Sequence, residues 1–358
     1  MRNRSAAAPA LATVARRPGR GRRHLGRAGL PSAEAKERDV VSRIAEILKD
    51  CPSNWGRFGP DDEIGTLNYL TPEEVRRGIA QVREGRLFPL GLPIGDPRGD
   101  LVWPGRVPTQ HYMVSDRGLY LTGKRRPIRG SGGVEYADDV VHMYLQGTTQ
   151  IDSLGHVWYD GRLYNGYDAA TTTGGLSKNG IDKVAARGIA GAAVLLDVAR
   201  FKGKEMLERG EEITLEDLFA TAEAQGLELE RRDMLLVRTG FYLHYVRGGT
   251  AEYVGEALRE PGLTYSPELV RWFQAQEVPL YGTDTMGSEQ TVSSRTGTFQ
   301  PLHPAFITRL GLTVAELLWL EDLAAYCAEV GRYRFFLTIS PLRVLGGAGS
   351  PVNPLAIL

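Results

Sequence analysis

Apolar side chains recur at helical spacing in some stretches of the chain and run unbroken in others, and the two patterns alternate. In ERDVVSRIAEILKDC (37–51), Val40, Ile44 and Ile47 share one helical face. TPEEVRRGIAQVREG (71–85) opens with Thr71 as a cap, Pro72 at the first helical position and Glu74 three residues after the cap, the signature of a capping box. TLEDLFATAEAQG (214–226) and SPELVRWFQAQE (266–277) also predict helices. Strands are predicted in GAAVLLDVARF (191–201), DMLLVRTGFY (233–242), VPLYGTD (278–284) and YRFFLTIS (333–340). VLLDV is continuous rather than alternating, which predicts a strand buried on both faces in a sheet covered by helices. With no solenoid-length repeat and no linker after residue 38, residues 38–358 read as one α/β domain.

The first 37 residues differ. Eight arginines between Arg2 and Arg27 lie among Ala, Gly and Pro with almost no large apolar side chains, so residues 1–37 are expected to form a disordered Arg/Ala-rich tail. AAAPALATVA (6–15) is too short and too weakly hydrophobic for a signal-peptide core. Acidic and basic residues balance at 43 each, and no apolar run approaches the roughly 20 residues of a membrane span. Neither nucleic acid nor membrane is therefore an expected partner. Cys51 and Cys327 stand far apart and match no ligand spacing, which fits a reducing cytoplasm.

Candidate chemistry concentrates in VVHMYLQGTTQID (140–152). Read as one strand, it sends His142, Tyr144, Gln146, Thr148, Gln150 and Asp152 to the same face. A polar face usually means only solvent exposure. Against that, the opposite face is partly apolar, and the segment ends in Asp152 and His156 beside Gly155 and Trp158. An Asp and a neutral His can ligate metal or form a general-base pair, and the spacing leaves both open. His111, His142 and His244 lack motif support. Trp55 and Trp103 are either pocket walls or core. Asp284 and Glu289 follow a strand, where site residues or helix caps both occur. GGAGSP (346–351) lacks the lysine and spacing of a phosphate loop and predicts a tight turn near the pocket.

QGTTQIDSLGHVWYDGRLYNG resembles the HxGTHxDxxxH signature of the cyclase family, which includes bacterial kynurenine formamidase and isatin hydrolase. NWGRFGPDDEIGTLNYLTPE, DMLLVRTGFY, LYGTDTMGSEQ, LHPAFITRLGLTVAELLWLEDLA and ISPLRVLGGAGSPVNPLA are similar to further family blocks, in family order. The resemblance implies a swivelling β/β/α fold, a homodimer and a small-molecule substrate. It puts Gln146 and Gln150 where the family has two metal-binding histidines, and Asp152, His303 and Glu316 at the other metal positions. His156 falls on the catalytic histidine, and Thr148 stands where the signature has glycine.

Amide oxygen is a weaker donor than imidazole and suits harder ions, so the expected cofactor is none or a divalent metal, Mn or Mg rather than Zn. In the metal-free case Asp152, His156, His303 and Glu316 would form the catalytic acid–base cluster, with Gln146, Gln150, Trp55 and Trp103 binding substrate. The implied activity is hydrolysis of the C–N bond in an aryl formamide, as in tryptophan catabolism, or in a small cyclic amide such as isatin. A metal-free lyase, lactonase or cyclase is the alternative, and a non-catalytic ligand-binding relic is the third reading.

Overall fold

The computed structural model describes residues 43–358, of which residues 43–47 are helical. The tail and Val40 lie outside the described residues. Thirteen strands follow in chain order: β1 (Leu87–Pro89), β2 (Gln110–Ser115), β3 (Asp138–His142), β4 (Gln150–Asp152), β5 (Ile189–Asp197), β6 (Glu212–Ile213), β7 (Met234–Arg238), β8 (Gly262–Leu263), β9 (Leu280–Thr283), β10 (Thr313–Glu316), β11 (Arg334–Ile339), β12 (Gly349–Pro351) and β13 (Leu355–Ile357). Nine of them form one mixed sheet in the order β1-β13-β11-β5-β7-β9-β10-β4-β12. Its centre, β5 to β10, is parallel, and antiparallel strands flank it.

The continuous apolar run behaves as its composition predicts. Every residue of β5 from Gly191 to Asp197 is buried, and separate apolar clusters cover the two sides of the sheet. The strand ends where Asp197 turns its carboxylate onto the backbone N–H of Arg200, so the last residues of the predicted strand form a helical turn instead. The capping box forms as predicted: Thr71 caps the helix Pro72–Ile79, and the Glu74 carboxylate accepts the Thr71 backbone N–H at 3.0 Å. This helix lies so close to the sheet that a Cβ on Gly78 would stand 2.5 Å from the carbonyl carbon of Gly191.

One prediction fails instructively. Residues 140–152 do not form one strand: β3 pairs with β2 in a separate two-stranded sheet, the chain then turns through residues 143–149, and only β4 joins the main sheet. His142 and Tyr144 are consequently exposed, whereas Gln146, Thr148, Gln150 and Asp152 are buried. Gly147 weakens the run as a strand, since it has no side chain to pack. Thr149 instead spends its hydroxyl on the carbonyl of Leu317 and accepts the N–H of Leu92 at 2.9 Å, tying three segments together.

Gly78→Ala should lower stability by about 2 kcal/mol or more, since the added methyl meets backbone rather than a movable side chain. A urea midpoint that drops with an unchanged slope is the expected result, and an unchanged midpoint would contradict this packing.

Candidate active site

β4 and β10 pair antiparallel with Gln150 opposite Glu316, and this register builds the site. The Gln150 amide Nε2 donates to Glu316 Oε2 at 2.6 Å. Asp152, two residues along, lies opposite Gly349 of β12. His303 arrives from another direction, at the start of the π-helical turn Pro304–Leu310. Glu289 fixes it there: its carboxylate accepts the backbone N–H groups of Leu302 and His303 and the His303 Nδ1–H at 2.7 Å. His303 Nε2 then stands 3.3 Å from Glu316 Oε1, which also accepts the Ser288 hydroxyl at 2.9 Å. Ser288 and Leu317, on either side of this carboxylate, hold left-handed φ values of +48° and +53°, backbone strain of the kind that gathers at functional sites.

His156 sits on the turn that follows β4, its Nε2 3.8 Å from Asp152 Oδ2. Leu176 packs closely on this turn, where a Cβ on Gly155 would lie 2.3 Å from its Cδ2. Asp152, His303 and Glu316 present ligand atoms all within 4.8 Å of one another. Gln150, His156, His303 and Glu316 form the floor of a cleft of about 330 Å³ whose walls include Trp103, Trp158, Tyr159, Met286 and Phe299, while Asp152 is buried and does not line it.

Burial dominates the electrostatics. Desolvation, reinforced by the Glu316 charge, raises the Asp152 carboxyl well above its usual range. Desolvation also pushes the His156 imidazole down to about 4, so its neutral form prevails near neutral pH. His303 goes the other way. Although burial opposes its charge, hydrogen bonds to Glu289 and Glu316 outweigh burial and hold it protonated.

The predicted site residues thus separate. His156, His303, Glu316, Gln150 and Trp103 line one cleft, and buried Asp152 has a ligand atom within 4.8 Å of those of His303 and Glu316. Trp55 does not: its indole N–H donates to the Thr308 carbonyl at 2.6 Å and its ring packs on the core. Gln146 does not line the cleft; its side-chain Nε2 lies beside Gly349, the residue opposite Asp152. Asp284 caps no helix. It accepts the backbone N–H groups of Thr239 and Gly240 and ties the ends of β7 and β9. The backing role of Glu289, and Arg106, Met286, Ser288 and Phe299, are new to the picture. Met286, Ser288 and Glu289 lie within the family block LYGTDTMGSEQ, and Arg106 ends the turn sequence WPGR.

Comparison with known proteins gives the class. The cyclase family model matches residues 88–290, more than half of the chain, and the chain belongs to this family. A solved structure described as a novel cyclase is 34% identical, covering 86% of this chain and 98% of its own at a TM-score of 0.77. Isatin hydrolase A from Labrenzia aggregata, bound to benzyl benzoate, shares the fold at 20% identity over 76% of this chain and 93% of its own, with a TM-score of 0.54. An isatin hydrolase bound to the product analogue thioisatinate does so at 16% identity over 81% and 99%, with a TM-score of 0.55. No curated protein matches the chain. Among the described residues, no helix is long and apolar enough to cross a membrane.

The donor set fits a hard divalent ion. Both Asp152 carboxylate oxygens and the Gln150 amide oxygen are buried without a hydrogen-bond partner, the condition a cation would relieve. An ion must, however, displace the proton held on His303 Nε2, and it finds one imidazole rather than three, which disfavours zinc. Gln150→His should therefore raise zinc affinity about tenfold or more in a chelator competition, and the wild type should carry well under one zinc per chain as purified. Stoichiometric zinc in the wild type would overturn this account of the ligands.

Proposed function

We propose that this chain hydrolyses the C–N bond of a small aromatic amide, either an aryl formamide or a cyclic amide of the isatin kind. The observation that carries the reading is the buried acid–base cluster lying under aromatic walls, with His156 facing the cleft beside Asp152. A volume of about 330 Å³ lies at the small end of the range for ligand pockets, roughly 300–1,000 Å³, and suits a substrate of one or two rings. Likeness in fold to isatin hydrolases supports the same class.

The chain's own residues supply a balanced sequence of proton movements. Neutral His156 accepts a proton through Nε2 from the attacking water as its oxygen bonds to the amide carbon. The C–N bond then breaks, and the imidazolium returns that proton to the departing nitrogen, leaving a carboxylic acid that ionises and an amine. Glu316, held by Gln150 and Ser288, and His303, held by Glu289, keep their orientation throughout. The aromatic walls exclude bulk water and strengthen every charge interaction on the floor. Asp152, His303, Glu316 and the Gln150 oxygen would hold a divalent ion, which when bound polarises the carbonyl and acidifies water.

A second reading follows from the proton on His303. Lying between two carboxylates, the imidazolium can act as an acid with no ion present, which suits a metal-free lactonase, lyase or cyclase. Activity on lactones that survives exhaustive chelation, without activity on formanilides, would favour it.

His156→Ala should lower kcat on formanilide-type substrates by about 10²–10⁴-fold while leaving the melting temperature nearly unchanged, because a half-buried cleft residue contributes little packing. Turnover within a few-fold of wild type would remove His156 as the base.

A further inference from the structure

Arg106 is a cation at the cleft with no assigned task. WPGR (103–106) forms a tight turn with proline second and glycine third, Gly105 at φ +95°, closed by the Arg106 N–H on the Trp103 carbonyl at 2.9 Å. First and last residues of such a turn lie side by side, and both Trp103 and Arg106 line the cleft. Trp103 packs edge-on against Phe299, another wall residue, with ring centroids 5.8 Å apart and planes at 77°. The guanidinium is anchored by one contact, Nη1 to the Gln146 carbonyl at 2.7 Å. Among the described residues, no carboxylate stands within ion-pairing distance of it, unlike most arginines buried to a similar degree. Its charge nevertheless reaches the floor, since it acts on both Asp152 and His156.

A flat aromatic wall beside an anchored guanidinium with free N–H groups is complementary to an aromatic ring bearing a planar anion. The fork of N–H donors matches the two oxygens of a carboxylate, which a point cation would not. We propose that Arg106 recognises a carboxylate on the substrate, so that this chain acts on aromatic amides carrying an acid group and discriminates against their neutral analogues. The inference rests on the amide-hydrolase reading above and narrows its substrate class. It also gives Gln146 a role other than ligation, since its backbone carbonyl aims the guanidinium into the cleft.

N-formylanthranilate and its methyl ester differ in charge and little in shape, and they separate the two ideas. For the wild type, kcat/KM on the acid should exceed that on the ester by about tenfold or more, the worth of a charge-assisted hydrogen bond. Arg106→Gln should bring that ratio to about one, and Arg106→Lys should retain part of the preference. Calorimetric binding of benzoate, compared with benzamide, reads the same contact without turnover and should be lost in Arg106→Gln. Circular dichroism and melting temperature establish that each variant folds. Ester and acid hydrolysed equally well by the wild type, or a preference that persists in Arg106→Gln, would overturn the role of Arg106 while leaving the hydrolase reading standing. Arg106-dependent benzoate binding without hydrolysis of either amide would support anion recognition and defeat the hydrolase reading instead.

Discussion

The antiparallel pairing of β4 with β10 is the constraint on which the site depends. A strand register is all-or-none, since a slip by one residue sends each side chain to the opposite face. With Gln150 opposite Glu316, the amide reaches the carboxylate, and Asp152 lands beside the same cavity. Shifted by one, the sheet would bury Ile151 where Gln150 stands and leave Glu316 Oε2 without its amide donor. The register is itself pinned by Thr149, whose hydroxyl bonds to Leu317, the residue after Glu316, and to Leu92. The threonine kept from the family signature is therefore a structural bolt next to the chemistry.

What the register creates is an excess of negative charge in a dry place. Asp152, Glu289 and Glu316 are all buried, and among the described residues His303 is the cation held between two of them. Buried carboxylates are tolerated only when paired, protonated or bound to a cation. His303 satisfies Glu289 and part of Glu316, and the Gln150 and Ser288 donors complete Glu316. Asp152 is left over. Its raised pKa and its orphaned oxygens are two expressions of one imbalance, which a proton or a divalent ion resolves. Arg106, tethered at the rim, adds positive potential without touching the cluster.

Periodicity revealed the sheet and helices because burial on both faces leaves an unbroken apolar run, as in β5, and because capping chemistry is local, as at Thr71 and Glu74. Asp152, His156, His303 and Glu316 were legible through a family resemblance, whereas their meeting in one site is a product of topology. His303 and Glu316 come from a π-helical turn and a strand far along the chain from β4, and no local pattern encodes that proximity. Trp55 lies off the cleft for the same reason: residue type shows what a side chain can do, while its neighbours decide what it does. The single strand expected over 140–152 breaks because sequence spacing alone cannot show that β3 finds β2 as its partner and leaves the main sheet.

That separate β2–β3 sheet leaves its residues almost wholly solvent-exposed, with both faces uncovered by the described residues. A two-stranded ribbon is only marginally stable alone in water, whereas β5 is enclosed on both sides. The molecule thus combines a rigid sheet with an appendage whose amides exchange by local opening rather than by global unfolding. The chain enters that appendage shortly after Trp103 and Arg106 of the cleft wall and leaves it shortly before Gln146, whose backbone carbonyl holds the Arg106 guanidinium. Nicking or loosening of the ribbon would therefore be felt first as a change in the cleft rim, with the thermodynamic stability of the core hardly altered.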